Sequence, residues 1–136
     1  MSPSDQARNP APTIVLARAA VLLGRSRYDQ QAVKNENLAL AIRSLKEAEW
    51  YLETIEPKPD FYADAMSKRT DWIRELQEKY DNLWFLAERA VKLRDWNEAA
   101  KQLRIVCEIV PDRSDERNKN ALRKLLEVER HLATQK

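Results

Sequence analysis

Apolar residues recur along this chain at intervals of three and four positions, the spacing that places side chains on one face of an α-helix. The clearest stripe contains Leu38, Ala41, Ile42, Leu45, Ala48, Leu52 and Ile55. Asn35 before it is suited to an N-cap, and Pro57 and Pro59 after it cannot donate the next helical hydrogen bond. The pattern predicts a helix from about Asn35 to Ile55.

An earlier apolar run, from Thr13 to Gly24 or a little beyond, predicts the first helix. Its apolar residues cover most of the circumference, which is typical of a helix that lies between several neighbours or in a subunit contact. We expect Gly24 to be its C-terminal cap and the polar segment Arg25 to Glu36 to form a loop or frayed turn.

The third stripe starts at Asp60 and meets no proline or glycine before Arg94. Its apolar positions are Tyr62, Met66, Ile73, Leu76, Tyr80, Leu83, Ala87 and Ala90. The simplest prediction is a single central helix of roughly 34 residues, about 50 Å long. A break near Lys79 to Asp81, which would give two helices, is the alternative.

Two more helices follow. One runs from Trp96 to Val110, with Asp95 as its N-cap and Glu98 three residues later. The last starts after Pro111-Asp112, and its early acids suit the positive end of a helix dipole. Because helix formers dominate and no strand-like alternation occurs, we predict an all-α fold of about five helices in antiparallel hairpins.

The length of 136 residues fits one domain, which we place at residues 13–133. Residues 1–12, MSPSDQARNPAP, are polar and proline-rich and are expected to form a disordered tail. The apolar run from Thr13 to Leu23 is too short to span a bilayer and lacks the flanks of a signal peptide. We therefore expect a cytoplasmic protein with no membrane partner.

The charged residues are nearly balanced, with 24 basic and 22 acidic side chains and a net charge of +2. This balance argues against a protein that grips nucleic acid mainly by charge. The last helix carries the basic residues Arg113, Arg117, Lys119, Arg123, Lys124 and Arg130. Acids are interleaved with them, so a solvated surface is the favoured interpretation and nucleic-acid binding an alternative.

Few side chains suit catalysis or metal binding. His131 lies one turn after Glu127, but one histidine and one carboxylate make a poor metal site. Cys107 falls on the inner face of its helix and is interpreted as a buried hydrophobe. The sequence shows neither a glycine-rich phosphate loop nor a nucleophile elbow. We therefore predict a protein that is not an enzyme and has no metal or cofactor.

Between Leu83 and Pro111, large and small apolar residues, an Asp-Trp-x-Glu-Ala turn and a closing proline follow one another at fixed spacing. The residues of this pattern are Leu83, Leu86, Ala87, Asp95, Trp96, Glu98, Ala99, Leu103 and Pro111. With this pattern the segment resembles a tetratricopeptide repeat. Ala90, Arg94 and Val106 depart from the usual pattern. Residues of the first two predicted helices, Leu23-Gly24 and Ala41 to Ala48, resemble a weaker copy with irregular spacing. A degenerate tetratricopeptide-like fold is what the resemblance implies.

In that family the first helix of each repeat lines a groove that holds a partner peptide. The resemblance places Asp81, Trp84, Glu88, Val91 and Lys92 in such a groove, with Trp84 as the anchor. Trp84 packing beneath the last helix or another neighbouring element is the alternative. Glu88 occupies the position of the asparagine that grips a C-terminal carboxylate in the family, so that clamp is not expected here.

Three further aromatic residues, Trp50, Trp72 and Phe85, lie off the apolar stripes and need cover from this chain or from a partner. We add Trp50 and Phe85 to the candidate partner-binding residues. The sequence thus favours a non-catalytic adaptor or scaffold module that binds a peptide or helix of another protein. A homo-oligomer assembled through the first helix and the long third helix is the alternative.

Overall fold

The protein is described by a computed structural model that covers residues 9–135. Within this range the chain forms five α-helices and no strand. They are α1 (Ala11–Asp29), α2 (Asn37–Leu52), α3 (Tyr62–Lys92), α4 (Trp96–Ile109) and α5 (Glu116–Thr134). The all-α prediction and the helix count are therefore confirmed.

Helix α1 packs on α2 through Ala17, Ala20, Val21 and Gly24. Gly24 lies inside the helix and does not cap it, so that prediction was wrong. A Cβ atom on Gly24 would lie only 3.1 Å from the backbone oxygen of Ala41. The glycine therefore lets the two helices approach closely, and α1 continues through Asp29 into the predicted loop.

Helix α1 begins inside the segment that was predicted to be a disordered tail. Its first residue is Ala11, so the last two residues of the 1–12 segment are helical. Pro12 stands in the first turn, where its missing N–H has no helical partner to lose. Residues 1–8 of the predicted tail lie outside the described residues.

Most of the apolar stripe predicted for α2 is confirmed, but the helix ends at Leu52, so Ile55 lies beyond it. Five of its residues are buried, namely Leu38, Ala41, Leu45, Ala48 and Leu52. The helix begins after Glu36, so Asn35 is not its N-cap. The amide of Asn35 instead donates a 2.6 Å hydrogen bond to Oε2 of Glu108. This contact joins the start of α2 to the end of α4.

Helix α3 is a single helix of 31 residues, without the alternative break near Lys79 to Asp81. Its first half, through Ala65, Trp72 and Leu76, joins a core with α1 and α2. Its second half, through Ala87 and Ala90, joins a second core with α4 and α5. Because one continuous helix enters both cores, α3 fixes the position of the α1–α2 hairpin relative to α4 and α5.

One part of the predicted α3 stripe was wrong. Trp72, which the spacing left off the stripe, is buried, and its ring stacks on Tyr28 of α1 at a centroid distance of 4.5 Å. Ile73, which the spacing placed on the stripe, is 45% exposed. The buried face of α3 therefore includes Trp72, which Tyr28 of α1 covers, and leaves out Ile73.

The turn from α3 to α4 has the predicted cap. Oδ1 of Asp95 accepts a 3.2 Å hydrogen bond from the backbone N–H of Glu98. Arg94 before it adopts a left-handed conformation with φ of 56°. Beyond the turn, Ala99 and Ala87 are both fully buried in the second core, where small side chains permit close helix crossing.

None of the helices in residues 9–135 has the combination of length and apolar character required to cross a membrane.

Candidate partner-binding groove

A groove of about 970 Å³ lies between α2, the middle of α3 and the segment that joins α4 to α5. The residues that line it are Glu36, Ala39, Leu40, Ile42, Arg43, Lys46, Glu47, Trp50, Arg69, Leu76, Val110, Pro111, Asp112, Asp115 and Arg117. Its apolar part includes Leu76 and Val110, which are buried, and Ile42, which is half-buried.

The α2 wall of the groove carries a stripe of four residues on one helical face. Ala39, Arg43, Lys46 and Trp50 follow one another at intervals of four, three and four. Trp50 is 69% exposed and touches Tyr51 edge-on at a centroid distance of 5.3 Å. Arg43 and Lys46 are exposed and form no ion pair within residues 9–135. Along α2, the two cations Arg43 and Lys46, which form no ion pair within the described residues, thus precede the exposed indole of Trp50.

The α3 side of the groove contributes Arg69 and Leu76. Nη1 of Arg69 donates a 3.0 Å hydrogen bond to Oε2 of Glu49 on α2. Nε of Arg69 is buried and has no partner among the described residues. A buried N–H without an acceptor carries a desolvation cost, and its burial also keeps it out of reach of a ligand in the groove.

The third wall, between α4 and α5, satisfies its own charges. Oδ1 of Asp112 accepts hydrogen bonds of 2.9 and 2.7 Å from the backbone N–H and the hydroxyl of Ser114. These bonds hold the pKa of Asp112 below its ordinary value. The carboxylate of Asp115 accepts bonds of 3.0 and 2.8 Å from Nε and Nη2 of Arg117. Hydrogen bonds therefore fix the side chains of Asp112 and Asp115, and the charges of Asp115 and Arg117 compensate each other.

Arg117 is held from three directions. Besides Asp115, its Nη1 donates a 2.9 Å bond to Oε1 of Gln77, and its guanidinium lies 5.8 Å from the ring centroid of Tyr80. The hydrogen bonds to Asp115 raise the pKa of Arg117 and lower that of Asp115. These contacts fasten the start of α5 to the middle of α3, which fixes the width of the groove.

The residues that the sequence placed in a repeat-like groove fall into two groups in the structure, one exposed and one half-buried. Asp81, Phe85, Glu88 and Lys92 share one exposed face of α3, and Phe85 is 63% exposed. Trp84 and Val91 are half-buried, and both pack against the second core.

Trp84 also stacks on Tyr80 at a centroid distance of 5.9 Å. These contacts cover part of the Trp84 ring, and the side chain remains half-buried. Trp50 is the single candidate from the sequence that lines the groove between α2 and α3.

Sequence reasoning missed Arg43, Lys46 and Arg69 as candidates. A signal was present for the first two, because they precede Trp50 at helical spacing on the side of α2 away from its apolar stripe. No such signal exists for Arg69, since its place beside the groove depends on how α3 crosses α2.

The other chemically notable side chains lie elsewhere. The ring of His131 stacks on Trp96 at 4.0 Å, which brings the end of α5 against the start of α4. Cys107 is half-buried, and burial raises the pKa of its thiol. In residues 9–135 no three His, Cys, Asp or Glu side chains are grouped in a way that could hold a metal ion.

The basic residues of α5 are mostly paired with acids on the same segment. Lys119 and Arg123 lie 3.5 and 4.0 Å from the carboxylate of Glu116, and Lys124 lies 3.6 Å from that of Glu127. Such pairs lower the local positive potential. This arrangement favours the solvated-surface interpretation of α5.

The chain was compared with protein families, curated proteins and solved structures. No family model, no curated protein and no solved structure matches it. The functional conclusion therefore depends on the geometry of the groove and on the residues that line it.

Proposed function

We propose that this chain is a non-catalytic interaction module, a tetratricopeptide-like arrangement of helical hairpins that binds a segment of another protein in the groove beside Trp50. The observation that carries the proposal is an indole 69% exposed at the rim of a groove of about 970 Å³. Aromatic anchors beside an apolar floor supply much of the energy of protein interfaces. The proposal assigns no reaction to the chain.

The shape and lining of the groove support a peptide as the ligand. Its volume lies at the upper end of the range of small-molecule pockets, roughly 300–1,000 Å³. Its walls carry charges of both signs around apolar residues at the floor, Leu76, Ile42 and Val110. A peptide backbone can satisfy polar wall groups while one or two side chains reach the floor.

The test uses peptides selected from a random display library against the full chain. Trp50→Ala is expected to weaken the selected peptides by about thirtyfold or more, as for an interface hot spot. Phe85→Ala is the matched control, because Phe85 is similarly exposed on the α3 face that the sequence first suggested. It should bind as the native chain does.

Circular dichroism should show both variants folded. Loss of binding in Phe85→Ala with retention in Trp50→Ala would transfer the site to α3 and refute the groove. A failure to select any peptide would refute the proposal as a whole.

A second candidate function, self-association through α1, is favoured by a separate observation. Val15, Leu16, Leu22 and Leu23 are between 45% and 66% exposed on the side of α1 away from α2. Leu16, Ala19, Leu23 and Ser26 on this side follow the three-four spacing of a coiled-coil seam. Such a seam fits a second copy of itself, with the small Ala19 at its centre.

The exposed apolar surface is limited to this short stretch of α1, whereas a standard interface buries about 800 Å² per partner. A concentration-dependent dimer is therefore expected. The sequence also predicted a contribution of α3 to such a contact. Most apolar residues of α3 pack in the two cores, while Ile73 and Phe85 are 45% and 63% exposed. Light scattering from micromolar to millimolar concentration tests the idea. A strict monomer, or a dimer that persists in Leu16→Glu/Leu23→Glu, would refute it.

A further inference from the structure

We infer that the groove selects segments in which an acidic side chain stands two or three residues from a large apolar one. The inference depends on the proposed function, because it names the chemistry of the segment that the same groove would bind. It follows from which charges around the groove are already paired and which are not.

The unpaired cations lie together on the α2 wall. Arg43 and Lys46 form no ion pair within the described residues, and both are exposed. Opposite them, Asp115 is occupied by Arg117, and Asp112 accepts both donors of Ser114. The carboxylates of that wall are thus engaged in their own turn, although Asp112 is close enough to Arg43 for the two charges to interact. A carboxylate from a ligand would meet two cations that form no ion pair within the described residues.

Arg69 adds little to these cations. Its Nη1 is paired with Glu49 at 3.0 Å, so its charge is partly neutralised. Its Nε is buried without an acceptor and is therefore out of reach of a bound segment. The preference for an acidic ligand thus depends on Arg43 and Lys46.

Two acids in the lining oppose this preference. Glu36 lies at the start of α2, seven residues before Arg43. Glu47 is closer, because it follows Lys46 directly and stands four residues after Arg43. The native groove therefore contains a built-in repulsive charge near its cations. Removing it should increase the affinity for an acidic segment.

The spacing along α2 sets the spacing in the ligand. Lys46 and Arg43 precede Trp50 by four and seven residues, which corresponds to roughly 6 and 10 Å along the helix axis at 1.5 Å per residue. An extended peptide covers about 3.3 Å per residue. An acid that reaches these cations while an apolar side chain packs on Trp50 must therefore stand two or three residues away.

The experiment uses three short labelled peptides with acetylated and amidated ends, identical except for a central Glu-Ser-Leu, Gln-Ser-Leu or Lys-Ser-Leu. Fluorescence anisotropy with the full chain measures their affinities. We expect the glutamate peptide to bind about tenfold more tightly than the glutamine peptide, and added salt to reduce that difference. The lysine peptide should bind most weakly.

Variants connect the preference to the named residues. Arg43→Gln/Lys46→Gln should remove the advantage of the glutamate peptide without unfolding the chain, since both side chains are exposed. Glu47→Gln should improve its affinity severalfold. Glu53→Gln is the matched control, because Glu53 is an exposed acid of the same segment that does not line the groove.

The outcomes separate this inference from the proposed function. Equal affinity for the glutamate and glutamine peptides, or tighter binding of the lysine peptide, would overturn the acidic preference. The groove itself would stand in that case if Trp50→Ala still abolished binding. Failure of all three peptides, together with an unsuccessful library selection, would overturn both.

Discussion

Replacing Gly24 by alanine tests how closely α1 and α2 are packed. Gly24 lies in the buried face of α1, and an added Cβ would stand 3.1 Å from the backbone oxygen of Ala41. It would also stand 3.2 Å from Cδ2 of Leu45 and 3.3 Å from Cβ of Ser44. The leucine can rotate away, but the Ala41 oxygen moves only if α2 itself moves.

Two opposing effects decide the sign of the change. Alanine is favoured over glycine inside a helix by about 1 kcal/mol. Overpacking a close contact costs about 1–3 kcal/mol when neighbours cannot relax. Because the nearest atom to the new Cβ belongs to a helical backbone, we expect the second effect to exceed the first. Gly24→Ala should lower the free energy of unfolding by about 0.5–2 kcal/mol.

Equilibrium urea denaturation followed by circular dichroism gives this value directly. Ala19→Gly is the matched control, since Ala19 is exposed on the same helix and measures helix propensity without packing. It should destabilise the protein by about 1 kcal/mol. If Gly24→Ala instead stabilised the chain by a similar amount, the α1–α2 contact would be loose and the reasoning wrong.

Three further substitutions or reactions have expected outcomes. Arg94→Gly should raise the melting temperature and add about 0.5–1 kcal/mol of stability, because glycine tolerates the φ of 56° better; an unchanged or lower melting temperature would contradict this. Asp115→Asn keeps an N-cap but loses the charge that pairs with Arg117, so urea denaturation should show a loss of about 1–2 kcal/mol at neutral pH. The pKa of Asp115 is lowered in the folded state, so its contribution is present above the unfolded pKa of about 3.9 and disappears as the pH falls through the folded value. A difference between native and variant that persists in acid would refute this assignment. Burial raises the pKa of Cys107, so iodoacetamide should modify it more slowly than a free thiol at the same pH, until urea exposes it; equal rates before and after unfolding would contradict the expectation.

The local elements of the fold could be predicted because their causes are local. The apolar stripe of α2 follows from spacing alone, and the Asp95 cap from one side chain and the N–H three residues later. The role of Gly24 could not be predicted from local causes. Glycine suits both a helix end and a close helix contact, and only the position of Ala41 in space decides between them.

The candidate site depended on the tertiary structure to a greater degree. Helical spacing placed Trp50 and Trp72 alike off the apolar stripes, so both required a cover that the sequence could not name. The structure covers Trp72 with Tyr28 and leaves Trp50 exposed at a groove.

By itself, the sequence determined the five helices, the Asp95 cap and the buried stripe of α2. The caps predicted at Gly24 and Asn35 were wrong, and so was the place of Trp72 on α3. Only the tertiary structure decided which aromatic side chains are covered and which cations stand unpaired beside the groove. The physical reason is that helix formation and capping involve residues within one turn of each other. The groove instead arises where α2, α3 and the segment before α5 meet, and these are far apart in the chain.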